Sequence, residues 1–365
     1  MSQSPRQTTI VDVARYLGLA KGTVSRALNN YPDVSPATRS RVVEAAEKLG
    51  YRPSSIARRL KTKRVESIGI VMPMADNLIA DPFLSEFLDG ISHALDQQGQ
   101  DLLVSTAPSV EATVHVYERL IAERKVDGII VTRTRTNDPR IQFLREQGFP
   151  FVTHGQCGVL GGFAYFDIDN ELAFVEAVAH IAALGHRRIG FIGGPSEFNF
   201  SRLRLLGYRT GMIKAGLEVD ESLIIERPLG EEHGRTGAQE LMAQPLPPTA
   251  ILCTSDALAV GAMRAVRELG LRVGSDVSVI GYDGIPVGAY VEPPLTTFSQ
   301  SMRNAGAKVA AMVMAVIDGA APDSLSEMGH AVIVKRESDG PPARQPAELA
   351  AIVNRQTRES GQTAT

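Results

Sequence analysis

The 365-residue sequence holds two cysteines, Cys157 and Cys253, far apart in the chain. Its first nine residues are polar and no apolar run follows them, so no secretory leader is expected. Free thiols in a reducing cytoplasm follow, each packing as a small buried side chain beside strand-forming residues. No stretch of about 18 apolar residues exists, so no membrane span is expected. The seven histidines show no ligand spacing with one another or with the cysteines, which argues against a metal. Also missing at any strand–helix turn are a Gly-x-x-x-x-Gly-Lys-Ser/Thr phosphate loop, a Gly-x-Ser-x-Gly nucleophile elbow and a dinucleotide fingerprint. No cofactor and no catalytic residue is expected.

What is present is unevenly spread. The net charge is −3, with 44% hydrophobic and 22% charged residues, an ordinary globular composition long enough for two or three domains. Residues 1–64 carry 13 lysines and arginines against four acids, whereas the remainder carries 25 against 37. A basic segment on an acidic body points to a polyanionic partner for that segment alone.

The basic segment opens with two short helical patterns. Ile10, Val13, Ala14 and Leu17 share a helical face, Gly18 interrupts, and Val24, Ala27 and Leu28 form the stripe of a second helix. Two short helices about a Gly-containing turn read as a helix-turn-helix, whose second helix enters the DNA major groove by its N-terminal end. There stand Lys21, Gly22 and Thr23, with Arg26 one turn on: donors and a small hydroxyl, with no carboxylate. A helix N-terminus also suits phosphate. An ordinary αα-hairpin is the plainer alternative for these two helices taken alone.

Ser35 and Pro36 read as N-cap and first residue of a third helix, continuing through Arg39 to Leu49 with Val42, Val43, Ala46 and Leu49 facing inward and Gly50 stopping it. Residues 51–64 hold six basic residues and no acid. They read either as a solvated basic linker or as a short helix that orders only against DNA, offering Leu60 as an apolar wedge for a minor-groove step.

From residue 67 near-continuous apolar strands alternate with amphipathic helices, which means parallel sheets covered on both faces. The strands run from Ser67–Pro73 to Val277–Tyr282 in two successive series, suggesting two similar doubly wound lobes. Strand Thr296–Gln300, helix Ser301–Ile317 and strand His330–Lys335 are expected to cross back between them. From Ser338 a linker precedes a helical stretch over Pro346–Glu359. Its single partial heptad is too short for a coiled-coil oligomerisation tail.

Together these residues resemble the lactose-repressor (LacI/GalR) family of bacterial transcription regulators. The match runs through Thr23–Asn29, Val34–Arg39, Leu49–Pro53, Leu184–Ile189, Asp276–Asp283 and Pro293–Thr297, over about residues 8–338. The resemblance implies a helix-turn-helix headpiece at 1–51, a hinge helix at 52–66, and a two-lobed, doubly wound body like type I periplasmic sugar-binding proteins at 67–338. Residues 339–365 are left as a largely disordered tail. It implies a cytoplasmic homodimer, with a tetramer unlikely, that binds palindromic double-stranded operator DNA and takes a sugar or glycoside effector between its lobes.

Carried over by position, Lys21, Gly22 and Arg26 match base-reading positions, with Thr23, Ser25 and Asn30 beside them; Arg pairs bidentately with guanine in the major groove. Ala20 stands where the family usually has Ser, which loses a helix cap. In the hinge, Leu60 matches the leucine inserted at the operator centre, flanked by Ala57 and Lys61. Ligands of doubly wound lobes sit at strand C-terminal ends. The candidates there are Asp81 and Phe83, Thr132 and Arg133, His154 (with Gln156), Asn199 and Arg204, Ser255 and Asp256, and Asp283. Asp283, Arg204 and Phe83 supply the acid, the base and the aromatic platform that sugar hydroxyls and an apolar sugar face require. Asp256 is equally suited to cap the following helix, Phe83 and His154 to sit in the core, and one of Arg202 and Arg204 to lie on the helix surface. The competing functional class is an α/β enzyme acting on sugars or nucleotides with a fused regulatory headpiece. An exported binding protein is a third reading, opposed by the missing leader and the basic N-terminal segment.

Overall fold

The computed structural model describes residues 8–51, 64–73, 82–158 and 162–362. The chain divides into two compact units, residues 1–66 and 67–365.

In the first unit, α1 (Ile10–Leu17), α2 (Lys21–Leu28) and α3 (Pro36–Lys48) pack around Val13, Ala14, Val24, Ala27, Val34, Val42 and Ala45. The Asp12 carboxylate accepts from the Thr9 backbone N–H at 2.9 Å and its hydroxyl at 2.7 Å, closing the start of α1. Gly18 ends that helix with φ 65°, a left-handed turn that a side chain would strain. The Ser35 hydroxyl accepts from the Thr38 N–H, so α3 starts at Pro36. One inward residue of α3 differs from expectation. Val43 is 39% exposed, and Ala45 packs inside instead. At 100° per residue, positions 42, 45, 46 and 49 share a face and 43 points away from it.

The second unit contains two lobes. In the first, β1 (Ser67–Pro73), β2 (Asp101–Ala107), β3 (Gly128–Val131), β4 (Phe151–His154) and β5 (Ala164–Ile168) alternate with α4 (Pro82–Asp96), α5 (Val110–Ala122) and α6 (Pro139–Glu146). Helix α7 (Asn170–Ala183) carries the chain across. The second lobe follows with β6 (Ile189–Gly193), α8 (Asn199–Lys214), β7 (Ile224–Glu226), α9 (Glu231–Met242), β8 (Ala250–Cys253), α10 (Asp256–Glu268), β9 (Ser278–Asp283) and β10 (Thr296–Ser299). Helix α11 (Met302–Ile317) returns to the first lobe, where β11 (Ser326–Gly329) pairs parallel with β5. Then β12 (Val332–Val334) goes back and pairs antiparallel with β10, Phe298 opposite Ile333. The strand orders are β11-β5-β4-β3-β1-β2 and β12-β10-β9-β8-β6-β7.

The crossing of the last elements follows the sequence pattern; β11 was not anticipated. Its four residues alternate between exposed and half-buried, so no apolar run marks it. Helix α11 seats closely on α4 because Gly90 and Gly306 each lie against the backbone of the other helix. A Cβ on Gly90 would overlap the Arg303 carbonyl, and one on Gly306 the Phe87 carbonyl.

The segment 339–365, expected as a largely disordered tail, instead forms a loop and a helix whose first turns pack on the second lobe. Helix α12 (Pro346–Gln362) buries Leu349 and Val353 in the same core as Leu241, Val266 and Val279. Before it, His186 and the Ser278 hydroxyl hold the Gly340 carbonyl at 2.8 and 3.0 Å. The apolar positions read as too few for a coiled coil are thus used within the chain. Both cysteines are buried and neither forms a disulfide. Among the described residues no helix is long and apolar enough to cross a membrane.

Candidate functional site

Two sets of candidate side chains stand out, one in each unit. In the first, α2 leaves Lys21, Gly22 and Arg26 exposed and Thr23 and Ser25 half-buried, while Val24 and Ala27 anchor its other face. The helix starts at Ala20 with no side-chain cap, so its first N–H groups are left to other acceptors. Arg26 does not stand alone: its guanidinium reaches the Asp33 carboxylate at 2.9 Å, with both side chains about half exposed. Asn29 returns its amide to the Ser25 carbonyl at 2.6 Å, and the exposed Asn30 follows with φ 55°. Ala57, Leu60 and Lys61 lie outside the described residues.

The second set surrounds Arg204, which sits on α8 and is only 5% exposed, whereas Arg202 beside it faces out. The choice between the two arginines is thereby settled. Arg204 Nε donates to the Asn170 side-chain oxygen at 2.8 Å, and Nη1 donates to the Thr254 carbonyl at 2.5 Å. Its guanidinium lies 3.7 Å from the Tyr282 ring centroid and 4.8 Å from that of Phe200. Asp283, at the end of β9, comes within 4.0 Å of it. The backbone of Asp283 has φ 116°, and its carboxylate accepts from the Gln300 amide at 3.3 Å.

From the first lobe, Asp167 and His154 face this cation. The Asp167 carboxylate accepts from the Gln156 and Ile168 backbone N–H groups and the Asn170 amide. Burial pushes its carboxyl up to about 6, while those N–H groups and Arg204 pull the other way. Burial pushes the His154 imidazole down to about 4, with Arg204 adding to the effect. The ring lies 4.9 Å from Phe87 and 6.2 Å from Phe166. A buried cation, two carboxyls and several aromatic faces thus meet where the strand C-termini of the lobes converge.

Other candidates are placed differently. Asp256 does not cap α10: the Ser255 hydroxyl does, accepting from the Leu258 N–H. The fully buried Asp256 carboxylate accepts from the Ile285 N–H at 2.8 Å and the Thr297 hydroxyl at 2.6 Å. It braces the loop that carries Asp283. Burial pushes it, too, up to about 6. Thr132 and Arg133 present their carbonyls to Arg140 Nη2, both at 3.0 Å, and Arg133 takes φ 51°. Asn199 opens α8; its N–H donates to the Thr134 carbonyl and its side-chain oxygen accepts from Arg202. Phe83 lies in the first turn of α4, its side chain outside the described residues, as is all of Asp81.

Asn170, Phe200, Tyr282 and Asp167 were missed. In the sequence Asp169-Asn170 reads as a helix cap, which gives Asn170 no sign of a role at the site. Asp169 is that cap, accepting from the Leu172 N–H, which frees Asn170 to orient Arg204. Phe200 was legible as an aromatic residue one helical turn before Arg204.

Comparisons with known proteins match both units to described families. Residues 9–54 match the model for bacterial regulatory proteins of the lacI family, and residues 178–338 that for a periplasmic binding protein-like domain. The chain is 39% identical to the HTH-type transcriptional regulator AglR of Rhizobium meliloti over 92% of its length and 95% of that protein's. It is 34% identical to the HTH-type transcriptional regulator CelR of Thermobifida fusca, over 91% and 98%. Among solved structures, the lac repressor dimer bound to operator and the anti-inducer ONPF superposes with a TM-score of 0.78 at 29% identity, covering 92% of this chain and 100% of that one. A CelR–cellobiose complex superposes with a TM-score of 0.71 at 31% identity, over 91% and 100%. The chain belongs to the lacI family of bacterial regulatory proteins, and it is a DNA-binding transcriptional regulator, not an enzyme.

Proposed function

We propose that this regulator is a homodimeric repressor of carbohydrate-use genes whose grip on a palindromic operator is set by a neutral sugar or glycoside held between its lobes. The observation that carries the sugar reading is the Arg204 constellation. A cation held by Asn170 and Thr254 beside the Asp283 carboxylate can bridge paired hydroxyls, and the half-buried Phe200 ring lies beside it, with Tyr282 buried against the guanidinium. The relatives support the same class, since one solved neighbour is a CelR–cellobiose complex and another a lac repressor dimer on its operator.

In this reading Lys21, Gly22, Thr23, Ser25, Arg26 and Asn30 read the operator half-site, and Ala57, Leu60 and Lys61 of the 52–66 hinge act at its centre. A ligand that favours one lobe arrangement changes operator affinity by linkage, by as much as its affinities for the two arrangements differ. The test is selection of duplexes from a random pool by the full-length protein, repeated with cellobiose and a panel of mono- and disaccharides. Enrichment of a palindrome whose affinity moves with one sugar is expected, along with loss of that response in Asp283→Ala while operator binding persists. No preference for any palindrome, with or without sugars, would overturn the proposal.

A further inference from the structure

Outside the Arg204 cluster, the loop between β3 and α6 makes a second connection between the lobes. In the first lobe it is pinned by a buried ion pair. Arg140 and Asp138, with side chains 1% and 0% exposed, meet at 2.6 Å, and Arg140 also holds the carbonyls of Thr132 and Arg133. The Asp138 carboxylate also accepts from the Arg135 N–H at 3.0 Å. The loop is therefore rigid at its base, and its tip reaches the second lobe.

At the tip, the Asn199 N–H donates to the Thr134 carbonyl at 2.9 Å, and Arg135 forms an isolated antiparallel bridge with Phe198. The Arg135 side chain divides between the lobes. Nη1 reaches Glu111 of α5 at 3.1 Å, Nη2 reaches Glu197 just before α8 at 2.9 Å, and the guanidinium lies 5.8 Å from the Phe198 ring centroid. Phe198 in turn stacks on Phe200, which lies against Arg204. The contact thus ends at the N-terminal turn of the helix that carries the central cation.

We propose that Arg135 is a latch between the lobes: fixed from the first lobe by Glu111 and the pinned loop, it holds Glu197 and Phe198 of the second and so sets how much of the protein occupies this lobe arrangement. Arg135 contacts no effector atom in this scheme; it is a positioning residue acting through the α8 N-terminus. Each carboxylate is half exposed or more, which keeps the contact weak enough to open. In a two-state lobe equilibrium, a modest bias of this kind shifts populations and with them any ligand affinity that depends on them. That last consequence rests on the function proposed above; the bias itself does not.

The experiment therefore uses no sugar. Nitroxides are placed at Gln147→Cys in the first lobe and Lys214→Cys in the second, both exposed positions, the native cysteines being buried. Labelled full-length protein is mixed with excess unlabelled protein, and the interlobe distance distribution is measured by dipolar spectroscopy. Arg135→Ala and Glu197→Gln are each expected to shift the distribution to longer distances. The double variant should go no further than Arg135→Ala, and Glu111→Gln should shift it less. Melting temperatures should stay near the wild type's, which a general loss of packing would not allow. Should Arg135→Ala fail to fold, Glu197→Gln, a change at a half-exposed side chain, decides the matter. Distributions that superpose on the wild type's for Glu197→Gln and every folded Arg135 variant overturn the latch. A wild-type protein indifferent to every sugar would overturn the effector reading and leave this result standing.

Discussion

The headpiece and the body solve opposite problems with their charged side chains. In the headpiece a core of small residues such as Val24, Ala27 and Val42 fixes three short helices, and the functional groups point outward from it. Arg26 meets Asp33 in the open, where water screens the pair. In the body the same chemistry is inside. Arg140 and Asp138 are almost wholly removed from solvent, and Arg204 is nearly so. A buried charge must have its partners at fixed places, so these residues hold loops still; an exposed one stays available to a large polyanion.

That contrast sets the scale of three expected outcomes. The largest is Arg140→Ala. Removing one member of a buried pair leaves Asp138 charged and uncompensated, at a cost of about 3–5 kcal/mol in chemical denaturation of the body. A loss under about 1 kcal/mol would mean that the pair is no more valuable than a surface one.

The next is a pH effect. His154 is held near 4 against an ordinary 6.5, so between those values the unfolded chain binds the proton and the folded one does not. Stability contributed this way is present above about pH 6.5 and is lost as the pH falls toward 4. Wild type should therefore lose about 2 kcal/mol more than His154→Gln between pH 7 and pH 5. Asp167 and Asp256, raised to about 6, act in the opposite sense over much of that window, but they are common to both proteins and cancel in the difference. Parallel stability curves for the two proteins would show that His154 can take a proton in place.

The smallest effect on stability belongs to Arg26→Ala. The exposed pair predicts a change within about 0.5 kcal/mol in the headpiece, while operator affinity falls by about 1–3 kcal/mol if Arg26 reads a base. Gel-shift titration against the selected palindrome separates the two quantities. A stability loss equal to the affinity loss would make Arg26 a structural residue and erase the contrast between the two regions.

The same difference explains what could be read from the sequence. The headpiece helices came from spacing over a few residues, since Ile10, Val13, Ala14 and Leu17 lie one turn apart and Gly18 ends the run. The alternating strands and helices of the body were equally local. Its cleft was legible only in part, because Asn170, Arg204, Thr254 and Asp283 come from four elements and meet only when the lobes form. Sequence pattern makes Asp169-Asn170 look like a cap alone, and it could not show that Asp256 turns inward to Thr297. It also missed β11, whose residues carry no apolar signature and which pairs only because α11 delivers it to the edge of β5.

The strand β11 has a consequence for synthesis. The first lobe's sheet gains its last member from residues 326–329, after the second lobe's elements from β6 to β10 have been made. A nascent first lobe therefore waits on the ribosome with the edge of β5 unpaired and the face that α11 will cover still open. Contacts so distant in the chain close slowly, and exposed strand edges invite aggregation. Cutting the chain after the second lobe's α10 would leave both lobes incomplete, since β9, β10 and β12 of the second and β11 of the first lie beyond it.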